Sequence, residues 1–281
     1  MNKRLLAAQA ARQAALIRSS LRIGLADAIC PFDVAQRLGL TTHFLQASSL
    51  EGIYSPEPRP TVVVGSERPS GRQRFTCGHE IGHHVFGHGI CFDEAGSQPS
   101  HVQQEFLADQ FSASLLMPKV AVDSAFFRRG LKIKDAHPAE ILEVSQDLGV
   151  GFSTLINHLE FALQALSSDA ADCLRRHSLR AIRQGIAGFV VPHELFVVNS
   201  AWGTRPLDMQ VGDIATVPTG AVYQGTGATY EQNPSEHLIA IRPGIGQLTL
   251  PGRGEPLALR VTRRTFAGLA RYRHLEECVD D

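Results

Sequence analysis

No stretch of 18 apolar residues runs uninterrupted through this chain, which excludes an expected membrane-spanning helix. Neither sign of charge is in excess. Basic residues number 27 and acidic residues 28, so the net charge of −1 argues against a whole-molecule grip on nucleic acid and leaves only a local basic patch. Cysteine is scarce: Cys30, Cys77, Cys91, Cys173 and Cys278 are odd in number, scattered and free of Cys-x-x-Cys spacing. That pattern argues against a disulfide framework and a four-thiolate zinc site, and points to a reducing cytoplasm. Met1 to Leu25 has no acid, yet it lacks the continuous apolar block and cleavage site of a secretory signal. An Ala-rich amphipathic helix is expected there. Repeats, low-complexity tracts, Gly-x-Gly-x-x-Gly and phosphate loops are missing.

What is there is ordinary globular material. With 281 residues, 43% hydrophobic and 20% charged, the chain is long enough for about two domains. Helix is expected over 3–29 and in a short segment after Pro31. Short strands follow around Phe44, 52–54 and 61–64, with a turn at 55–60. A helix is expected at roughly 72–88, a loop at 93–100, and a helix over 101–116 that stops at Pro118. Residues 120 to 185 read as helical. From about Gly188 short β-prone runs recur near every ten residues, the pattern of a small all-β domain.

The chemistry sits in Phe75-Thr76-Cys77-Gly78-His79-Glu80-Ile81-Gly82-His83. Four residues are a little over one helical turn, so His79 and His83 share a face and can bind one zinc ion. Glu80 can reach an open metal position without ligating and take a proton from water there. A third protein ligand is needed. His88 misses the spacing of the longer metalloprotease signature by one residue. His84 lies about 100° off the ligand face. Glu105 and Asp109 stand at i and i+4, so Glu105 can bind the metal while Asp109 holds the far nitrogen of a ligand histidine. Asp93, Glu94 and His101 compete on spacing alone. Tyr54 is a candidate oxyanion or substrate contact, and strand 61–64 a candidate for aligning substrate by edge pairing.

Arg72-Gln73-Arg74-Phe75-Thr76 leading into His79-Glu80-Ile81-Gly82-His83, then Glu105-x-x-Ala108-Asp109-x-Phe111 and Leu115-Leu116-Met117-Pro118, resembles the ImmA/IrrE family of bacterial zinc metallopeptidases. Leu50-Glu51-Gly52-Ile53-Tyr54 is similar to its strand region, and the match covers about 30–160. The resemblance implies one zinc ion bound by His79, His83 and Glu105, with Glu80 as catalytic base. The family often has Asn at the position of Asp109 and an Ala- or Leu-like residue at that of Cys77, and neither change removes a ligand.

The resemblance also implies an α+β fold: a zincin-like, gluzincin-type metallopeptidase domain over 1–122, then a helical, helix-turn-helix-like module with linker over 123–187. A mainly β C-terminal domain over 188–281 is expected as a sensor or docking domain. The implied function is a zinc-dependent endopeptidase that cleaves a helix-turn-helix transcriptional repressor in a stress or mobile-element response. The alternative is a non-proteolytic regulatory protein on the same fold that acts by contact. Residues 140–155 read as two helices joined at a Gly-bearing turn. The second offers only Asn157 and His158 to read bases, so direct DNA binding is not expected. The run Arg175, Arg176, Arg180, Arg183 reads first as a solvated face. His193, Trp202, Tyr223 and His237 are candidate pocket residues, each more simply core or rim. The oligomeric state stays open.

Overall fold

The structure is a computed structural model that describes residues 2–94, 102–233 and 235–275. Two compact units account for it. The first comprises Met1–Ser124, Leu148–Gly151 and Ala267–Ala270; the second comprises Ala125–Asp147, Phe152–Phe266 and Arg271–Asp281.

In the first unit α1 (Lys3–Ser20) and α2 (Pro31–Arg37) precede a sheet of β1 (Thr41–Leu45), β2 (Leu50–Ser55) and β3 (Thr61–Gly65). Helix α3 (Ser70–Val85), strand β4 (Cys91–Glu94), helix α4 (Val102–Leu116) and the start of α5 (Lys119–Phe127) follow. The sheet runs from the two-residue strand Gly268–Leu269 through β1, β3 and β2 to β4. Strand β3 pairs parallel with β1 and antiparallel with β2, so it lies inside the sheet. The expected edge pairing of substrate on 61–64 is therefore corrected: both sides of β3 are already paired, and the edge is β4.

Helix α1 ends nine residues earlier than expected. Arg22 adopts a left-handed conformation with φ of 53°, and the Ile23 N–H closes on the Arg18 carbonyl at 2.8 Å. This is the usual glycine-type helix stop made with an arginine, which leaves no sequence signal. Arg18 is buried. Its guanidinium donates to the carbonyls of Leu115, Gly24 and Asp27 at 2.7–3.0 Å, tying α1 to the end of α4, and burial lowers its pKa to about 10.

In the second unit α6 (Pro138–Leu148), α7 (Phe152–Asn157), α8 (Ser168–Arg175) and α9 (Leu179–Ala187) precede eight short strands. These are β5 (Leu195–Val197), β6 (Leu207–Gln210), β7 (Ile214–Thr216), β8 (Val222–Gly225), β9 (Ala228–Asn233), β10 (Ser235–Ala240), β11 (Gly244–Thr249) and β12 (Leu257–Thr262). They form two small mixed sheets, ordered β5-β7-β10-β9 and β6-β12-β11-β8. Their buried faces meet around Trp202, Leu207, Met209, Leu238, Leu248 and Leu259.

The helices of this unit are bonded to its strands. Gln146 accepts from the Val197 N–H at 3.0 Å, and buried Arg205 donates to the carbonyls of Gln146 and Asp147 at 2.6 and 3.2 Å. Asp147 accepts from Gly203, Arg128 and Arg129 at 2.7–2.9 Å. The expected boundary at 187/188 thus falls inside one compact unit. The basic run is partly neutralised: Arg175 pairs with Glu160 and Asp172, and Arg183 with Glu194. Trp202 sits in the core, Tyr223 packs against it, and His237 meets Phe189 edge to face. No helix among the described residues is long and apolar enough to cross a membrane.

Candidate metal centre

Two helices pressed unusually close build the centre. On α3, Gly78 and Gly82 face α4. A Cβ at Gly82 would stand 3.0 Å from the Ala108 Cα, and one at Gly78 2.5 Å from the Ser112 hydroxyl oxygen. Ser112 in turn donates to the Phe75 carbonyl at 2.7 Å. At the start of α3, Gln73 donates to the carbonyls of Ser66 and Arg68 at 2.9 and 2.7 Å, which fixes the helix to the end of β3. The closeness lets Glu105 and Asp109, one turn apart on α4, both reach His79.

Asp109 Oδ1 accepts from His79 Nδ1 at 2.9 Å, which turns Nε2 inward. That Nε2 lies 2.9 Å from His83 Nε2, 3.1 Å from Glu105 Oε2 and 3.1 Å from Asp93 Oδ2. Glu105 Oε1 is 3.6 Å from His83 Nε2. One donor atom from each of His79, His83, Asp93 and Glu105 lies within 4.8 Å of the others. Of the competitors, Asp93 joins the group from β4. The Glu94 side chain and His101 lie outside the described residues.

Charge follows from the crowding. Burial works against a charged His79, but hydrogen bonds to Asp109, Asp93 and Glu105 raise its pKa well above the ordinary value. Burial also works against an ionised Glu105, and the two histidines overcome it and lower the pKa. Glu80 is fully buried, and its pKa is raised well above the carboxylate range by burial first and then by Asp93 and Glu105. Neither Glu80 oxygen has a hydrogen-bond partner among the described residues. A protonated Glu80 would share its proton with Asp93, and when Glu80 is ionised a water held beside a metal would supply the missing donor. Two imidazole nitrogens with one or two carboxylates, and the Glu80 carboxyl beside them, are a donor set that fits a zinc ion: tetrahedral zinc with Zn–N near 2.0–2.1 Å places two nitrogens about 3.3 Å apart, so the two Nε2 atoms, now 2.9 Å apart, would part slightly to hold it.

Glu80 has room because of Gly52. A Cβ there would stand 2.1 Å from Glu80 Oε1 and 2.6 Å from Thr76 Cγ2. No role for Gly52 was legible beforehand, since its neighbour is 28 residues away in sequence. Tyr54 is buried, and its hydroxyl meets His84 Nδ1 at 3.0 Å rather than one of the four donors. Burial, then Cys91, raises its pKa. Cys77 is buried and belongs to neither group of potential metal donors.

Sequence reasoning missed Cys91. Its sulfur lies 3.2 Å from His83 Nδ1, and His88 Nδ1 lies 2.8 Å from the same nitrogen. Burial, then Glu105, Glu80 and Asp93, pushes the Cys91 thiol up to about 11. His83, His88 and Cys91 form a second group with donor atoms within 4.8 Å. The signal was the spacing His-x-x-x-x-His-x-x-Cys directly after the first motif.

No curated protein matches the chain in sequence. Residues 35–160, a little under half of the chain and containing every donor described above, match the family model described as the IrrE N-terminal-like domain, so this region is similar to the ImmA/IrrE metallopeptidases.

Proposed function

We propose that the chain is a zinc-dependent endopeptidase whose metal is held by His79, His83 and Glu105, with Glu80 as general base and Asp109 orienting His79. The observation that carries this reading is the convergence of those donors beside the fully buried Glu80 carboxyl group. Zinc in such a set supplies Lewis-acid polarisation of a carbonyl and acidifies a water at its open position. Glu80, beside that position, would accept a proton from a water there and pass it to the departing amine. Among the described residues the sheet edge beside the donors is β4, so an extended substrate segment would pair there, next to exposed Ile90 and Phe92.

The substrate is inferred from the family resemblance to be a helix-turn-helix repressor, cleaved in the cytoplasm to release a stress or mobile-element response. A second reading, a non-proteolytic regulator acting by protein contact, draws on Asp93. It approaches His79 as closely as Glu105 does, and four protein donors are the complement of a closed structural site. The test is cleavage of a helix-turn-helix repressor encoded beside this chain. Glu80→Gln is expected to keep its zinc and lose about 10²–10⁴-fold in rate, the share of a general base. Comparable cleavage by that variant would remove Glu80 from the mechanism, and absence of cleavage by the zinc-loaded wild type would favour the contact regulator.

A further inference from the structure

Behind the His83 ring lies a second set of donors that the proposed reaction does not use. Its geometry is built by the end of α3. Gly87 turns left-handed at φ of 65°, its N–H closes on the His84 carbonyl at 3.1 Å, and the His88 N–H closes on the His83 carbonyl at 3.0 Å. This paired closure folds His88 back over His83. Cys91 arrives from the other side on β4, opposite Tyr54 of β2. Nδ1 of His83 therefore faces His88 Nδ1 at 2.8 Å and the Cys91 sulfur at 3.2 Å, while its Nε2 faces His79 and Glu105.

We propose that His83, His88 and Cys91 form a second metal site, selective for soft, thiophilic ions such as Cd²⁺ or Cu⁺, and that filling it excludes zinc from the first site. The inference rests on the reading above, in which Nε2 of His83 is a zinc ligand. A thiolate with two imidazoles is a soft set, whereas two imidazoles with carboxylates are harder, so the two sites sort ions by softness. Ideal tetrahedral spacing for zinc-like bond lengths is about 3.3 Å between nitrogens and about 3.6 Å from nitrogen to sulfur. The observed 2.8 and 3.2 Å require the donors to part by roughly half an ångström for a zinc-sized ion, and further for the larger Cd²⁺.

Exclusion follows from the imidazole itself. A neutral ring has one lone pair and one N–H. When Nε2 binds at the first site, Nδ1 carries the proton and donates to His88 or Cys91. When Nδ1 binds at the second site, the proton moves to Nε2, which then donates toward Glu105 and offers no lone pair. The soft ion also breaks the Cys91 S–H bond, forms the S–metal bond and releases one proton to solvent. Entry of the soft ion thus expels zinc by relocating one proton on one ring. Because each state holds a single ion, the two metals compete, and the balance is set by the ratio of their affinities multiplied by the ratio of their concentrations.

The experiment titrates Cd²⁺ into the zinc-loaded full chain and follows thiolate-to-cadmium ultraviolet absorption together with zinc release. Expected is one zinc released per cadmium bound, with thiolate absorption rising in step. In Cys91→Ser that absorption disappears. Even an outer partner of a ligand is worth about 10–100-fold in affinity, so the cadmium needed for half-release of zinc rises by about tenfold or more. His88→Asn weakens the same signal. Zinc release without thiolate absorption, absorption that persists in Cys91→Ser, or cadmium bound with zinc retained would each overturn the proposal. Glu105→Gln separates the two readings: it lowers zinc affinity yet keeps the thiolate signal if both hold. Full zinc retention in that variant would sink the first ligand set while leaving the thiolate signal to judge the second.

Discussion

At the scale of single residues the centre depends on what is small or fixed as much as on what ligates. Gly52 is the clearest case. Gly52→Ala puts a methyl group where Glu80 Oε1 now sits, so the carboxylate must move. Cleavage is expected to fall by about 10²-fold or more, while zinc content stays at the wild-type level because no ligand is touched. An active Gly52→Ala enzyme would mean that Glu80 does not work from its observed position. Asp109→Ala frees His79 Nδ1, and the loss of such an outer partner is expected to weaken zinc binding by about 10–100-fold in a competition with a chelator. Unchanged affinity would show that Asp109 is only a solvated neighbour. The second unit carries its own titratable reporter. Burial, then Arg273, lowers the pKa of His274 to about 4, from about 6.5 when exposed. The neutral form is favoured by the fold, so this stability is fully present above about pH 6.5 and is lost as pH falls through about 4. The loss amounts to about 3 kcal/mol at most. Urea unfolding of His274→Gln should show a flatter stability slope between those pH values than the wild type, and identical slopes would contradict the assignment.

At the scale of elements, the parts legible in advance were those with local signals. His79, Glu80 and His83 announce themselves by spacing on one helix, and Glu105 with Asp109 by theirs on another. The turn between α6 and α7 is marked by Gly149, which is left-handed at φ of 76°. What escaped was decided at a distance. The place of β3 inside the sheet comes from its parallel pairing with β1, which nothing within 61–64 records. Strand β4 is short, carries Asp93 and Glu94, and leads into a Gly-, Ser- and Pro-bearing stretch, so it read as loop. Yet it brings Asp93 and Cys91 to the centre. Arg22 stops α1 in a conformation that an arginine seldom signals. Gly87 makes the opposite case, since a glycine just past a helix is the ordinary stop. A Gly87→Ala change forces a side chain into the left-handed region at a cost of about 1 kcal/mol. It should also loosen His88, reducing the cadmium–thiolate absorption while leaving zinc content unchanged.

At the scale of the whole molecule, every described donor belongs to one compact unit, and the second unit carries none of them. Within that second unit the buried Arg205 guanidinium joins α6 to the strands through carbonyls of Gln146 and Asp147 and stacks over Trp202 at 5.4 Å. Arg205→Ala is expected to destabilise the second unit by about 2–4 kcal/mol, because it orphans buried carbonyls and opens a cavity. Thermal melting should show that loss with zinc content intact. The central claim concerns the first unit, and the most direct measurement is the zinc stoichiometry of single variants of the full chain. One zinc per chain is expected in the wild type and in Glu80→Gln, and its loss in His79→Ala, His83→Ala and Glu105→Ala. Full zinc occupancy in Glu105→Ala would contradict the ligand set and pass the third position to Asp93.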